Sequence, residues 1–251
     1  MRYLFVLIYL SVSLFSQEVE KKQKVTIGAG VYTQTQPYKD TDALVLPTPV
    51  IFFDNSLIYI RWSRGGIYFL GDKSDDFSWG FSLTVQPRTF GYKESDSKYL
   101  KGLEEKKSTW EGGLAFSAQK GKGYIEVMAL TDVLARYRSW ILKTEIGYDF
   151  KLGDFSFYPS VIAVYQSKDF QTYYYGVSSD DAKTSAYDKY IPEGGLQLGV
   201  QTFIKYPFTK SVGALINLRA DRLSNEVTSS PIVHEDYLFS GMASLIYTFE
   251  Y

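Results

Sequence analysis

Side chains that alternate with a period of two leave a chain few folds, and alternation runs through most of this sequence. From Ser139 to Leu152 one face carries Trp140, Leu142, Thr144, Ile146, Tyr148, Phe150 and Leu152, while the other carries Lys143, Glu145, Asp149 and Lys151. The first face has no charge; the second has four charged groups. The split recurs at Phe77, Trp79, Phe81, Leu83 and Val85 against Ser78, Gly80, Ser82, Thr84 and Gln86. It recurs again at Val212, Ala214, Ile216, Leu218 and Ala220 against Ser211, Gly213, Asn217, Arg219 and Asp221. Successive side chains of a strand point to opposite faces, so these segments read as strands, and no helical period is sustained.

Such alternation fits a soluble sandwich or barrel with its apolar faces inward, or an outer-membrane barrel with those faces turned to lipid. The last eleven residues favour the second. In Gly241 to Tyr251, Ala243, Leu245, Tyr247, Phe249 and Tyr251 share one face, and the stripe runs to the final residue. A terminus tends to fray and lie exposed, so an apolar stripe there implies an apolar medium outside. This strand is expected to close the barrel and to be the segment that the barrel-assembly machinery meets.

Loop lengths agree. Twelve strands are expected near 25–33, 44–53, 56–62, 66–71, 76–88, 108–119, 122–134, 139–152, 154–168, 193–206, 210–223 and 237–251. Connections after even strands are all brief, whereas the long ones, 34–43, 89–107, 169–192 and 224–236, all follow odd strands. Short periplasmic turns and long external loops are the habit of bacterial barrels. The parity requires a turn at Ser63 to Gly65; ten strands is the alternative, because 66–71 is short and Pro47 and Pro49 weaken the second strand.

Composition bounds the function. The chain has 27 basic and 28 acidic residues spread along its length, which disfavours nucleic acid as a partner. It has no cysteine, so thiol catalysis and cysteine metal sites are excluded. Its 22 tyrosines and 17 phenylalanines suit strands and an oil–water boundary. Residues 1–16 read as a signal peptide, 17–24 as a periplasmic leader and 25–251 as one barrel domain in the outer membrane of a Gram-negative cell. After the first sixteen residues, no run approaches the roughly twenty apolar residues of a spanning helix.

The inward face is expected to hold Arg61, Glu111, Glu126, Lys143, Glu145, Asp149, Lys151, Lys205, Arg219 and Asp221. Their mixed signs suggest ion pairs that fill a narrow lumen, with a polar conduit as the alternative. His234 beside Ser229 and Ser230 raises a nucleophile and base pair for acyl hydrolysis, with no recognisable oxyanion hole. Asp180 with Asp181, and Asp75 with Asp76, lack the spacing of a calcium loop. Residues 104–107, EEKK, read as a solvated loop. No cofactor is expected, and the tyrosine-rich stretch from Tyr173 to Tyr190 reads as rim packing or as an aromatic ligand surface.

Tyr173-Tyr174-Tyr175-Gly176-Val177-Ser178, then Gly194-Gly195 opening a strand, then Ser230-Pro231-Ile232-Val233 before a last aromatic strand, resemble the MipA/OmpV family of outer-membrane proteins. The early segments PTPVIFFDNSLIYI and RGGIYFLGD are similar to that family's beginning. The resemblance implies a barrel in contact with outer-membrane lipid. It also implies a scaffold role between a murein-cleaving transglycosylase and a murein synthase. Porin-like, adhesive or antigenic roles are the alternatives it carries.

Overall fold

The computed structural model describes residues 23–74 and 76–251; the signal peptide and most of the leader lie outside the described residues. The strands are β1 (Lys24–Gln34), β2 (Leu44–Asp54), β3 (Ile58–Arg61), β4 (Arg64–Lys73), β5 (Phe77–Arg88), β6 (Thr109–Lys120) and β7 (Gly123–Asp132). They continue with β8 (Trp140–Tyr148), β9 (Phe150–Leu152), β10 (Phe155–Gln166), β11 (Gly195–Pro207), β12 (Val212–Arg222) and β13 (Tyr237–Glu250). Each pairs antiparallel with its neighbours, β10 with β11 included. The terminal strand β13 pairs with β1 from Lys24↔Glu250 to Gln34↔Ser240, which closes the ring.

Both β8 and β9 pair with β10, so they form one stave interrupted at Asp149 and the barrel has twelve staves. Pro159 lies opposite this break, between the Phe157↔Phe150 and Ser160↔Gly147 pairs, where a missing N–H does least harm.

The apolar stripes face outward. Ile146 is 56% exposed and Leu245 64%, whereas their strand neighbours Glu145 and Ser244 are each 8% exposed. Rings mark both ends of the apolar band: Trp110, Trp140, Tyr165 and Tyr237 at the long-loop end, and Tyr148, Phe155, Phe208 and Tyr247 at the turn end, all exposed. These are the positions of an interfacial aromatic belt. Among the described residues no helix is long and apolar enough to cross a membrane.

Three expectations need correction. The tight turn falls on Trp62 and Ser63, with Arg64 already in β4, because Trp62 takes the left-handed conformation (φ 57°) that turns the chain. Segment 169–192 is not one open loop: α1 (Lys168–Tyr175) and the single-turn α2 (Asp181–Thr184) occupy part of it, and α3 (Asn225–Thr228) sits in the last long connection. The Ser167 hydroxyl caps α1 by accepting from the Phe170 N–H. Such short helices carry too few residues for a period to register. Finally, EEKK is not simply solvated. Lys106 is 8% exposed, pairs with Glu104 at 2.8 Å and lies 5.3 Å from the centroid of the Tyr173 ring.

Candidate functional site

The four long loops do not splay from the barrel; they share one apolar core. Tyr38, Phe90, Tyr92, Leu100, Phe170, Tyr174, Tyr175, Val177, Val227 and Ile232 are all buried in it. Burying a large aromatic side chain contributes about 1.5–3 kcal/mol, enough in sum to order long connections. The single bridge Tyr38↔Val233 joins the first loop to the last, and Tyr92↔Lys106 and Val177↔Tyr190 each pin one loop to itself. Side chains add to them. The Tyr38 hydroxyl donates to the Tyr174 carbonyl (3.2 Å), Ser97 to Lys39 (2.7 Å), and Tyr190 to Glu226 (2.8 Å).

The two motif pieces meet here. The Ser230 hydroxyl donates to the Tyr175 carbonyl at 2.6 Å. Gly176 ends α1 where an added Cβ would stand 2.5 Å from the Thr172 carbonyl oxygen, so only glycine fits. Tyr173 lies at the edge of the core, its hydroxyl accepting from the Lys107 N–H at 3.0 Å, and Pro231 is half-buried between Ser230 and the buried Ile232.

Burial raises the pKa of the Tyr38 and Tyr175 phenols, so both stay neutral at any physiological pH. Within the loops, burial pushes the carboxyl of Asp181 up. The N–H of Glu104 and the N–H and hydroxyl of Ser178 outweigh that, and its pKa is lowered.

Beneath this roof lies the lumen, with a cavity of about 2610 Å³ that reaches the turn end. The charges do not fill it, contrary to the sequence expectation. They hug the wall, because several pair with the next inward residue of the same strand: Lys143 with Glu145 (3.3 Å) and Arg219 with Asp221 (2.7 Å). Glu126 accepts from Arg61 (3.0 Å) and Arg64 (2.8 Å), and Glu145 also accepts from the Tyr124 hydroxyl (2.8 Å). Fully buried Glu111 binds Arg88, Gln86 (2.9 Å) and Tyr137 (3.1 Å), and the Arg88 guanidinium lies between the Phe90 and Phe170 rings. Asp149 is half-buried at the stave break and Lys151 is exposed near the turn end. Lys205 lines the cavity.

Sequence reasoning missed Arg64 and Arg88, which sit at strand ends, and it missed an apolar patch inside the barrel. Val50, Leu215, Met242 and Ile246 face inward and are buried, with Tyr32, Phe52, Trp62 and Phe203 packed against them. The lumen thus has an aromatic side and an ionic side. His234 is exposed, and its described hydrogen bond is from its backbone N–H to the Pro37 carbonyl, so the serines and the histidine do not assemble. Asp181 is taken up by loop contacts, Asp180 by Lys183, and Asp75 lies outside the described residues.

Comparison with known proteins agrees with this architecture. The family described as "MltA-interacting protein MipA" matches residues 27–249. The MltA-interacting protein of Escherichia coli (strain K12) is 28% identical over 228 residues, 91% of this chain and 90% of that protein. The putative outer membrane protein YiaT of the same strain is 23% identical over 226 residues, 90% of this chain and 91% of that protein. The outer membrane protein OmpV of Vibrio cholerae serotype O1 is 25% identical over 183 residues, 72% of this chain and 69% of that protein. With a closed barrel, lipid-facing apolar stripes and a match over nearly its whole length, the chain belongs to the MipA family and is a β-barrel of the outer membrane.

Proposed function

We propose that this barrel is a non-enzymatic interaction protein that ties murein-remodelling enzymes to the outer membrane, with a murein transglycosylase as its first partner and a murein synthase as a second. The observation that carries the reading is the asymmetry of the two ends. The long-loop end is packed shut around Tyr38, Tyr174 and Tyr175, while the cavity opens among Lys24, Asn55, Asp72, Gln119 and Lys205 at the turn end. Long loops are external and turns periplasmic in bacterial barrels, so the accessible mouth faces the compartment that holds murein. A relative named for interaction with MltA supports the partner class. A porin-like role fits less well, because a shut end gives a solute no through path.

Photo-crosslinking residues at Asn55, Gly121 or Lys205 in intact cells should capture a murein transglycosylase, and the same residue at Asp188 or Glu235 should not. Capture from the loop positions alone would replace this reading with a surface adhesin. The Ser/His alternative has its own check: His234→Ala should leave phospholipid and lipid A acyl release unchanged.

A further inference from the structure

The wall of the barrel is not equally tall all the way round. β3 has four residues, against 11 in β2 and 12 in β5. β2 meets β3 through Phe52, Phe53 and Asp54 only, and β4 meets β5 no farther than Val85. Beyond the Trp62–Ser63 turn, toward the long loops, residues 44–50 of β2 and 86–88 of β5 therefore have no strand on that side among the described residues. Where β3 and β4 do intervene, β2 and β5 stand three inter-strand spacings apart, about 14 Å.

Bare strand edges are avoided in hydrocarbon, because each unsatisfied N–H is costly there. These edges carry few of them. In an antiparallel strand the N–H and C=O of one residue point to the same neighbour, and alternate residues alternate sides. The Ile51 carbonyl accepts from the Trp62 N–H (2.8 Å), so Pro49 and Pro47, two and four residues before it, also face the gap side. On the other edge the Trp110 carbonyl accepts from Val133 (2.9 Å) and so faces β7; its register partner Pro87 then turns its nitrogen to the gap. Three prolines remove three donors from the two edges. The Pro49 carbonyl in turn accepts from the Thr48 hydroxyl (3.2 Å).

The gap also has an apolar interior. The Trp62 indole N–H reaches back to the Thr48 hydroxyl (3.0 Å), and its ring meets Tyr32 and Phe203 at centroid distances of 5.5 and 6.3 Å. Phe52 and Leu46 line the same side of the cavity. On the far side Arg64 and Arg88 are already neutralised by Glu126 and Glu111. Pro87 is level with Trp110, a ring of the belt at the long-loop end, so the gap opens at the leaflet on that side. The medium against its outer side is lipid, and the roof separates it from the water on the long-loop side.

We propose that this gap is a lateral port, through which an acyl chain of an outer-leaflet lipid passes between β2 and β5 to lie against Tyr32, Phe52, Trp62 and Phe203. The proposal goes beyond the partner-binding reading and stands or falls separately from it.

The chain has four tryptophans, and only Trp62 packs in the lumenal cluster. A protein carrying Trp79→Phe, Trp110→Phe and Trp140→Phe leaves Trp62 as the reporter; a second, keeping only Trp110, reports on bulk lipid. Both are reconstituted in vesicles of phospholipid with brominated acyl chains, after the fast-running unboiled gel band has shown that they fold. Trp62 emission should be lost to an extent comparable with that of Trp110. Adding Leu46→Arg at the inner lip should abolish the loss at Trp62 and leave the loss at Trp110 unchanged. Equal Trp62 emission in brominated and plain vesicles would overturn the port. So would quenching that Leu46→Arg does not change, since the bromines would then act through the wall. Quenching by added brominated fatty acid but not by brominated phospholipid would overturn the lipid as the occupant.

Discussion

Between β5 and β6 the ladder runs through twelve register pairs, from Phe77↔Lys120 to Arg88↔Thr109, whereas β2 meets β3 through three. The lipid-facing residues alternate in the same way on both stretches. What differs is the backbone: on the first its donors go to neighbouring strands, and on the second Pro47 and Pro49 remove two of them where no strand adjoins among the described residues. Alternation therefore reports which side of a wall is greasy, while the placing of prolines relative to register reports where the wall stops.

The largest effect should come on the laddered side. Glu111→Ala leaves Arg88 buried without its carboxylate, and breaking such a pair costs about 3–5 kcal/mol. Urea unfolding in lipid vesicles measures it. A loss under about 1 kcal/mol, the scale of an exposed pair, would mean that water reaches Arg88.

Next is the lipid face itself. Leu83→Arg, mid-strand on β5, should cost about 2–4 kcal/mol, and Val45→Arg, near the long-loop end of β2, about 0–1 kcal/mol. Equal costs would remove the distinction between a membrane-centred ladder and a gap near the interface.

Pro49→Ala sharpens the comparison further. It puts an unpaired N–H on an edge that faces hydrocarbon, at about 1–3 kcal/mol. An unchanged or raised unfolding midpoint would mean that the edge finds a partner.

The smallest effect concerns the roof and pH. The folded pKa of Asp181 is lowered, so its contribution is complete above the unfolded value of about 3.9 and is lost as pH falls below it through the folded value. Protease cleavage in the 94–107 segment should rise on acidification through that window. Asp181→Asn should show the raised cleavage already at neutral pH and no further step from this group.

The orientation of each strand was legible because only the choice between lipid and lumen sets it. Trp140, Ile146 and Phe150 face out, as the charge-free stripe indicates, and β13 closes onto β1. The roof was not legible. Tyr173, Tyr174 and Tyr175 suit a rim as well as a core, and the contact of Ser230 with the Tyr175 carbonyl joins segments 55 residues apart. The aromatic side of the lumen was hidden for a different reason: Val50, Leu215 and Ile246 occupy inward positions, and an isolated strand gives no sign that inward apolar residues will meet across a barrel. Pro47 and Pro49 were visible as weak points of a strand, but the side to which their nitrogens turn depends on the hydrogen bond from Trp62 to Ile51. That is information about register rather than composition.

The barrel is shut at its long-loop end above an open lumen, and planar-bilayer recording of the purified, folded protein tests this most directly. No steady current is expected from the whole chain across a range of voltages. A stable ohmic conductance from the intact protein would contradict it, because ions would then have a path through the packed cluster of Tyr38, Phe170, Tyr174 and Tyr175.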